Sequence, residues 1–131
     1  MDISPMQLER TSEYLSTCGI AAKLVCSSME SESGVPREYF DLIYAVYSIG
    51  WTTDLRQTVR QIYSYLKTGG MFIFSWSHPL HKCVSLEDGK MIFDNCYFDE
   101  SWYSVSLDGE EIMLSNRKLS TYVNALAEMV S

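Results

Sequence analysis

Two short apolar runs with a helical stretch between them constrain this chain more than any other feature. Phe40 to Tyr47 carries Leu42, Ile43, Ala45 and Val46 in near-continuous succession, and Met71-Phe72-Ile73-Phe74 forms a second run. Such runs are expected of strands whose two sheet faces are both covered. Between them, from about Asp54 to Lys67, Leu55, Val59, Ile62, Tyr63 and Leu66 recur at helical spacing, and Gly69-Gly70 breaks the pattern. Strand, helix, strand predicts a parallel pair joined by a crossover.

The segment before this unit fits the same scheme. Ser4 is placed to cap a helix with Pro5 at its first position and Gln7 completing a capping box, and Gly19 ends it. Leu8, Leu15 and Cys18 give that helix a partial apolar face. Ala21 to Cys26 reads as a short buried strand, and Ser27 to Tyr39, with Gly34 and Pro36, as a loop.

The second half changes character. Lys90–Phe93, Ser101–Leu107 and Glu111–Ser115 read as short antiparallel strands, with Asp88-Gly89 and Asp108-Gly109 as turn signals. A last helix starts near Ser120, with Tyr122, Val123, Leu126 and Val130 on one side. The chain reads as a single partial domain: residues 1–80 form an α/β portion, and residues 81–131 a cap of antiparallel strands plus helix.

The 131 residues suffice for one small domain, and a net charge of -7 disfavours a nucleic-acid partner, because an acidic surface repels phosphates. No apolar run is long enough to span a bilayer. No pair among Cys18, Cys26, Cys83 and Cys96 has C-x-x-C spacing, and no His stands at ligand spacing from a Cys, so no metal site is expected. A cytoplasmic location is the default for thiols without a signal peptide.

The order of motifs resembles that of class I S-adenosylmethionine-dependent methyltransferases. Asp2-Ile3-Ser4-Pro5-Met6-Gln7-Leu8 resembles the second cofactor motif. Phe40-Asp41-Leu42-Ile43-Tyr44 resembles the fourth strand, and Leu66-Lys67-Thr68-Gly69-Gly70-Met71-Phe72-Ile73-Phe74 the "LKPGG" segment and fifth strand, with Thr68 where Pro is usual. Trp51-Thr52-Thr53-Asp54 and Trp76-Ser77-His78-Pro79 resemble the small-molecule branch related to ubiquinone and menaquinone methyltransferases.

The resemblance implies an α/β fold: an incomplete Rossmann-like methyltransferase sheet with a C-terminal antiparallel region and a final helix. It implies S-adenosylmethionine as cofactor, lying across the carboxyl ends of the strands, and a small-molecule methyl acceptor. Asp2 would accept from the ribose hydroxyls, although an acid before a helix N-terminus is also favoured by the helix dipole alone. Ser28 and Met29 match the loop that edges the adenine. The family commonly has an acid at the Ser28 position; the Met29 amide can reach a ring nitrogen whatever its side chain. Val46 and Tyr47 would lie beneath the methionine end.

Tyr47, Trp51 and His78 are the candidate acceptor-facing residues, and each has a packing alternative. His78 is the candidate for acid–base catalysis, since its ordinary pKa lies near neutrality, and its alternative is a turn histidine before Pro79; His81 is a weaker candidate. Tyr97, Phe98, Trp102 and Tyr103 could line an acceptor pocket or cover a small sheet. Asp99-Glu100 and Glu110-Glu111 read as solvated pairs. Methyl transfer asks mainly for alignment and exclusion of water, so no catalytic constellation is required.

The family's glycine-rich turn after the first strand has no counterpart, since G-x-G occurs nowhere. In the family the first strand lies beside the fourth, so its absence leaves Phe40–Tyr47 with an open edge. Two explanations stand: a chain truncated at both ends, or an intact short protein that repairs the edge by dimerising. Truncation is preferred, because Met1 falls where the family tolerates many residues. Cofactor binding is then expected to be weak or to need a partner, either a second copy or the missing segment. A non-catalytic remnant that pairs through its sheet edge is the alternative function.

Overall fold

The computed structural model describes residues 1–130, and at Leu107 the backbone alone. Helix α1 spans Pro5–Thr17. Ser4 caps it, its Oγ accepting from Gln7 N at 3.4 Å, and Gly19 at φ 65° ends it while Ile20 N donates to the Leu15 carbonyl at 2.9 Å. That is the glycine-terminated closure the sequence signals. No residue of α1 is fully buried, so it is held by its ends rather than by a packed face.

The centre of the molecule is β1 (Phe40–Val46), α2 (Leu55–Tyr65) and β2 (Leu66–Ser75). The two strands are parallel, with Leu42 opposite Met71, Ile43 opposite Phe72, Tyr44 opposite Ile73 and Ala45 opposite Phe74. Asp54 caps α2 by accepting from Gln57 N at 2.9 Å. The pairing carries a bulge between Phe40 and Leu42, which absorbs Lys67–Gly70 into β2. The sequence places a break there because glycines resist regular structure. A bulge accommodates them, with Gly69 at φ 80°.

Period-2 alternation now decides which side chains pack. Phe72 and Phe74 lie on the face that meets the core of Ile49, Leu55, Val59, Tyr122 and Ala125. Phe74 stacks on Tyr122 with ring centroids 5.9 Å apart. Tyr122 and Ala125 belong to α3 (Leu119–Val130), so α2 and α3 cover the same face. The opposite face is bare: Leu42, Tyr44, Val46, Met71 and Ile73 are 51–71% exposed. Coverage of both faces is therefore not observed. Among the described residues β1 also has a neighbour on one side only.

Two further readings are corrected. Ala21–Cys26 forms no strand; a single parallel bridge joins Asp2 to Cys26, with Asp2 N donating to the Val25 carbonyl and Ser27 N to the Asp2 carbonyl. A three-residue partner cannot support a ladder. On α3, Val123 and Val130 face solvent, and Tyr122, Ala125, Leu126 and Met129 carry the contact. Val123 and Val130 are apolar but sit on the wrong side of the turn that Phe74 fixes.

The second half folds as two hairpins, β3 (Val84–Glu87) with β4 (Lys90–Phe93), and β5 (Tyr103–Leu107) with β6 (Glu110–Leu114). Both turns have positive φ at both central residues, 48° and 73° at Asp88-Gly89 and 52° and 84° at Asp108-Gly109. This is the mirror-image turn that matches strand twist. Strand β3 was not anticipated, because Val84-Ser85-Leu86-Glu87 offers only two apolar residues.

Gly50 is the glycine whose missing side chain matters. A Cβ there would sit 1.9 Å from Trp76 Cε2, inside the ring's van der Waals envelope. Gly50→Ala is expected to destabilise by about 1–3 kcal/mol, as forced overpacking does. Urea unfolding followed by circular dichroism measures it. An unchanged midpoint would mean the indole swings away freely.

Candidate functional site

The sequence-selected residues fall on the carboxyl ends of β1 and β2 and on the loop after the Asp2 bridge. Asp2 is exposed; its Oδ1 accepts from Ser4 N at 2.8 Å, and Oδ2 has no partner among the described residues. The bridge sets the Asp2 backbone beside Val25–Ser27, one residue before the Ser28-Met29 loop. Ser28 Oγ shares a hydrogen bond with Ser31 Oγ at 2.7 Å, while the Met29 amide is unpartnered among the described residues. This gives one acceptor and one donor on a polar ledge.

At the end of β1, Val46 is exposed opposite Ser75. Tyr47 follows at φ 48°, a left-handed backbone that costs a tyrosine on the order of 1 kcal/mol or more. Two bonds hold it there: Tyr47 N donates to the Ser75 carbonyl at 3.0 Å, and Trp51 Nε1 donates to the Tyr47 carbonyl at 3.2 Å. The strained residue turns the chain off the sheet into the short 3-10 turn Ile49–Trp51. Trp51 packs edge-to-face on Trp76 at 5.8 Å, and Tyr47 lies 6.4 Å from the same ring. Tyr47, Trp51 and Trp76 thus form one aromatic wall.

His78 is exposed two residues beyond Trp76. Its Nδ1 accepts from Leu80 N at 3.2 Å. A neutral imidazole bonded this way carries its proton on Nε2, so the free nitrogen presents a donor. His81 lies in the next turn, with its amide on the His78 carbonyl at 2.8 Å. Tyr97 and Phe98 pack edge-to-face on each other at 5.5 Å, and Tyr97 Oη accepts from Leu119 N at 3.1 Å, so they brace the start of α3. Glu100 is no free surface acid: it accepts from Thr121 Oγ1 at 2.9 Å and pairs with Lys118 at 3.1 Å.

One residue that ties the two groups together carries no motif. Glu30 follows Met29, and its Oε1 accepts from Thr52 Oγ1 at 2.5 Å, Thr53 N at 2.6 Å and Thr53 Oγ1 at 3.2 Å. Thr52 and Thr53 directly follow Trp51. The Ser28-Met29 loop and the segment after β1 are therefore clamped by one carboxylate. Partial burial raises the Glu30 pKa, but the bonds from Thr52 and Thr53 outweigh it and hold the group at about 2, against an ordinary 4.5. The only available signal was a lone acid at the end of a serine-rich stretch.

Cavities lie both at the candidate site and away from it. A groove of about 600 Å³ between α2 and α3, lined by Ile62, Phe72, Leu126 and Met129, opens at the amino end of β2 and contains none of these residues. A cleft of about 540 Å³ lies instead between the segment after β2 and the hairpins, with Ser77, His81, Lys82 and Tyr103 in its walls. It shares Lys82, Tyr103 and Asn116 with a niche beside His78, Trp76 and Arg117. Among the described residues no cluster of His, Cys, Asp or Glu is arranged to hold a metal ion. No helix of these residues is long and apolar enough to cross a membrane.

Comparison with known sequences decides the family. The pattern of the methyltransferase domain matches residues 1–74. The chain belongs to the methyltransferase domain family. Two solved structures are similar in fold, both described as S-adenosylmethionine-dependent methyltransferases. The one from Listeria monocytogenes superposes with a TM-score of 0.76 at 18% identity, over 98% of this chain and 62% of its own. The one from Mesorhizobium loti gives 0.75 at 21% identity, over 97% and 59%. This methyltransferase-domain chain thus spans about three fifths of the length of the structures it matches. No curated protein matches it. The α/β architecture is that of an incomplete Rossmann-like class I methyltransferase domain.

The Glu30 clamp yields a pH prediction. Its folded pKa lies below the unfolded value, so its stabilisation is complete above about pH 4.5 and is lost as pH falls toward 2. Glu30→Gln is expected to cost about 1–3 kcal/mol at pH 7, as for a charged hydrogen-bond acceptor, and to flatten the loss of stability below pH 4.5. Urea unfolding from pH 7 to pH 3 measures both. A variant as acid-sensitive as wild type would exclude the clamp.

Proposed function

We propose that this chain provides one wall of an S-adenosylmethionine site and transfers, or once transferred, a methyl group to a small-molecule acceptor. The observation that carries the reading is the backbone bridge that joins Asp2, with one carboxylate oxygen unpaired among the described residues, to the segment leading into Ser28 and Met29, which Glu30 clamps to the strained Tyr47 end of β1. The residues present fit that ligand on one side. Asp2 Oδ2 can accept from a ribose diol, Ser28 and the Met29 amide can meet the adenine edge, and Val46 with Tyr47 can carry the methionine end.

S-adenosylmethionine, when bound, supplies a methyl group on a sulfonium that is already an activated electrophile. The chain's own task is then positional. Tyr47 and Trp51 form a rigid aromatic wall that orients an acceptor and excludes water. His78, with Nδ1 engaged by Leu80, offers Nε2–H to an acceptor oxygen or nitrogen. The relation to the ubiquinone and menaquinone enzymes rests on the Trp51-Thr52-Thr53-Asp54 and Trp76-Ser77-His78-Pro79 motifs. No residue pattern on the described chain supplies the glycine-rich side of the site, so binding is proposed to be weak alone and completed by a partner segment.

Isothermal titration with S-adenosylhomocysteine tests this reading. A Kd of roughly 0.1–1 mM is expected, weakened about tenfold by Asp2→Ala, equivalent to about 1.4 kcal/mol. Absence of heat at millimolar ligand would remove the proposal for this chain.

A second reading, a module that pairs through its sheet, is favoured by the bare Leu42, Tyr44, Val46, Met71 and Ile73 face beside the open β1 edge. Contiguous exposed apolar surface of this kind marks an interface. Light scattering after size-exclusion chromatography is expected to give a dimer that Tyr44→Lys dissociates. A wild-type monomer across the micromolar range would exclude self-pairing.

A further inference from the structure

The niche beside His78 is lined by Arg117, whose Nη1 has no hydrogen-bond partner among the described residues. Arg117 is fixed at three points. Its Nη2 donates to the Thr52 carbonyl, its guanidinium carbon lies 5.8 Å from the centroid of Trp102, and its backbone follows Ser115 and Asn116, both buried. Its Nη1 is buried without any hydrogen-bond partner, and no carboxylate pairs with Arg117 among the described residues. An unpaired charged donor of this kind is costly, and natural folds retain one where something else completes it.

The surroundings define what completes it. The niche offers about 20 Å³, room for a single oxygen-sized group. It opens by shared walls onto the cleft of about 540 Å³, which is large enough for a small organic molecule. Lys82 lines both; its ammonium donates to the Asp99 backbone carbonyl and also lies near enough to the Asp99 carboxylate to help lower its pKa, after the Ser101 hydrogen bonds. His78 and His81 add imidazoles to the niche. Burial pushes the Tyr103 phenol upward, so it stays a neutral hydroxyl donor. Asp99 is the one carboxylate in the walls of either space, and its Oδ1 is engaged by Ser101 N at 2.9 Å. In a chain of net charge -7, this convergence of donors is local and specific.

We infer that this cleft binds a small molecule through an oxyanion, carboxylate or phosphate, whose oxygen enters the niche against Arg117 while Lys82 flanks it. Because the niche shares Trp76 with the Tyr47–Trp51 wall, the bound molecule is the methyl acceptor. That last step rests on the methyltransferase reading; the anion site itself does not. Arg117 supplies a planar, always-charged donor suited to either oxyanion.

Titration of the full chain with benzoate, phenyl phosphate and benzyl alcohol tests the site, read by tryptophan fluorescence, since Trp76 lines the niche and Trp102 stacks on Arg117. At least one anion is expected to saturate at millimolar concentration and to bind at least tenfold more tightly than the neutral alcohol; the tighter anion names the class. Arg117→Met should weaken it at least tenfold, Arg117→Lys less, and Lys82→Met about threefold or more, while the distant Arg60→Met leaves it unchanged. If Arg117→Met unfolds by circular dichroism, Lys82→Met and the wild-type preference for anion over alcohol decide. Equal binding of all three probes, no saturation by any, or indifference to Lys82→Met with that variant folded would overturn the inference. A parallel S-adenosylhomocysteine titration separates the two proposals: anion binding without it leaves this site standing and removes methyl transfer, and the reverse removes only the anion site.

Discussion

The side chain of Thr52 is the point on which the candidate site depends. It is fully buried, and its hydroxyl has one proton and two lone pairs. Glu30, an obligate acceptor when ionised, takes the proton. The Asp54 amide, an obligate donor, takes one lone pair at 3.2 Å. The Thr58 hydroxyl, 2.6 Å away, must therefore donate to the other. Every valence is used, and the Thr52 carbonyl meanwhile accepts from Arg117. One residue thus joins the loop after Met29, the start of α2 and the segment leading into α3. A valine of the same shape would take one bond each from Glu30, Asp54 N and the buried Thr58 hydroxyl, leaving Glu30 with its bonds from Thr53.

Much of this fold was legible in the sequence because local and global preferences agree there. The β1–α2–β2 unit declared itself by two apolar runs around a helical period, and the hairpins by Asp-Gly pairs whose backbones do adopt left-handed conformations. The helix after Ser4 was equally plain, since cap, proline and terminal glycine are short-range signals. What failed depended on partners outside the local window. Ala21–Cys26 has strand-like composition, but only Asp2 is placed to pair with it. The face of α3 was misassigned because Val123 and Val130 resemble Tyr122 and Met129 in hydropathy, and only the position of Phe74 separates them.

The site divides along the same line. Asp2, Met29, Tyr47, Trp51 and His78 are singled out by motif order, and the structure places Tyr47 and His78 just past the carboxyl ends of β1 and β2 and ties the Met29 loop to Thr52 and Thr53 through Glu30. Glu30, Thr52 and Arg117 were not found, because their importance lies in contacts across 22 and 65 positions of sequence. Their residue types give no warning: an acid in a loop, a threonine after a tryptophan and an arginine before a helix are ordinary surface choices. Burial and mutual hydrogen bonding make them exceptional.

The two walls of the site are supported unequally. The cleft proposed for the acceptor rests on the core: Ser115, Asn116 and Thr52 are buried, and α3 packs directly on the sheet through Tyr122. The ledge carrying Asp2 hangs on one bridge and on Glu30, above a helix with no buried residue. Local stability follows the number of buried contacts, so the ledge opens at lower cost than the cleft. A ligand spanning both walls would tie the weaker one to the stronger. Its proposed contacts there, one Asp2 oxygen and the Met29 amide, have no partner among the described residues. Completion of the site is then a matter of closing a ledge that Thr52 already holds in register, rather than of building it anew.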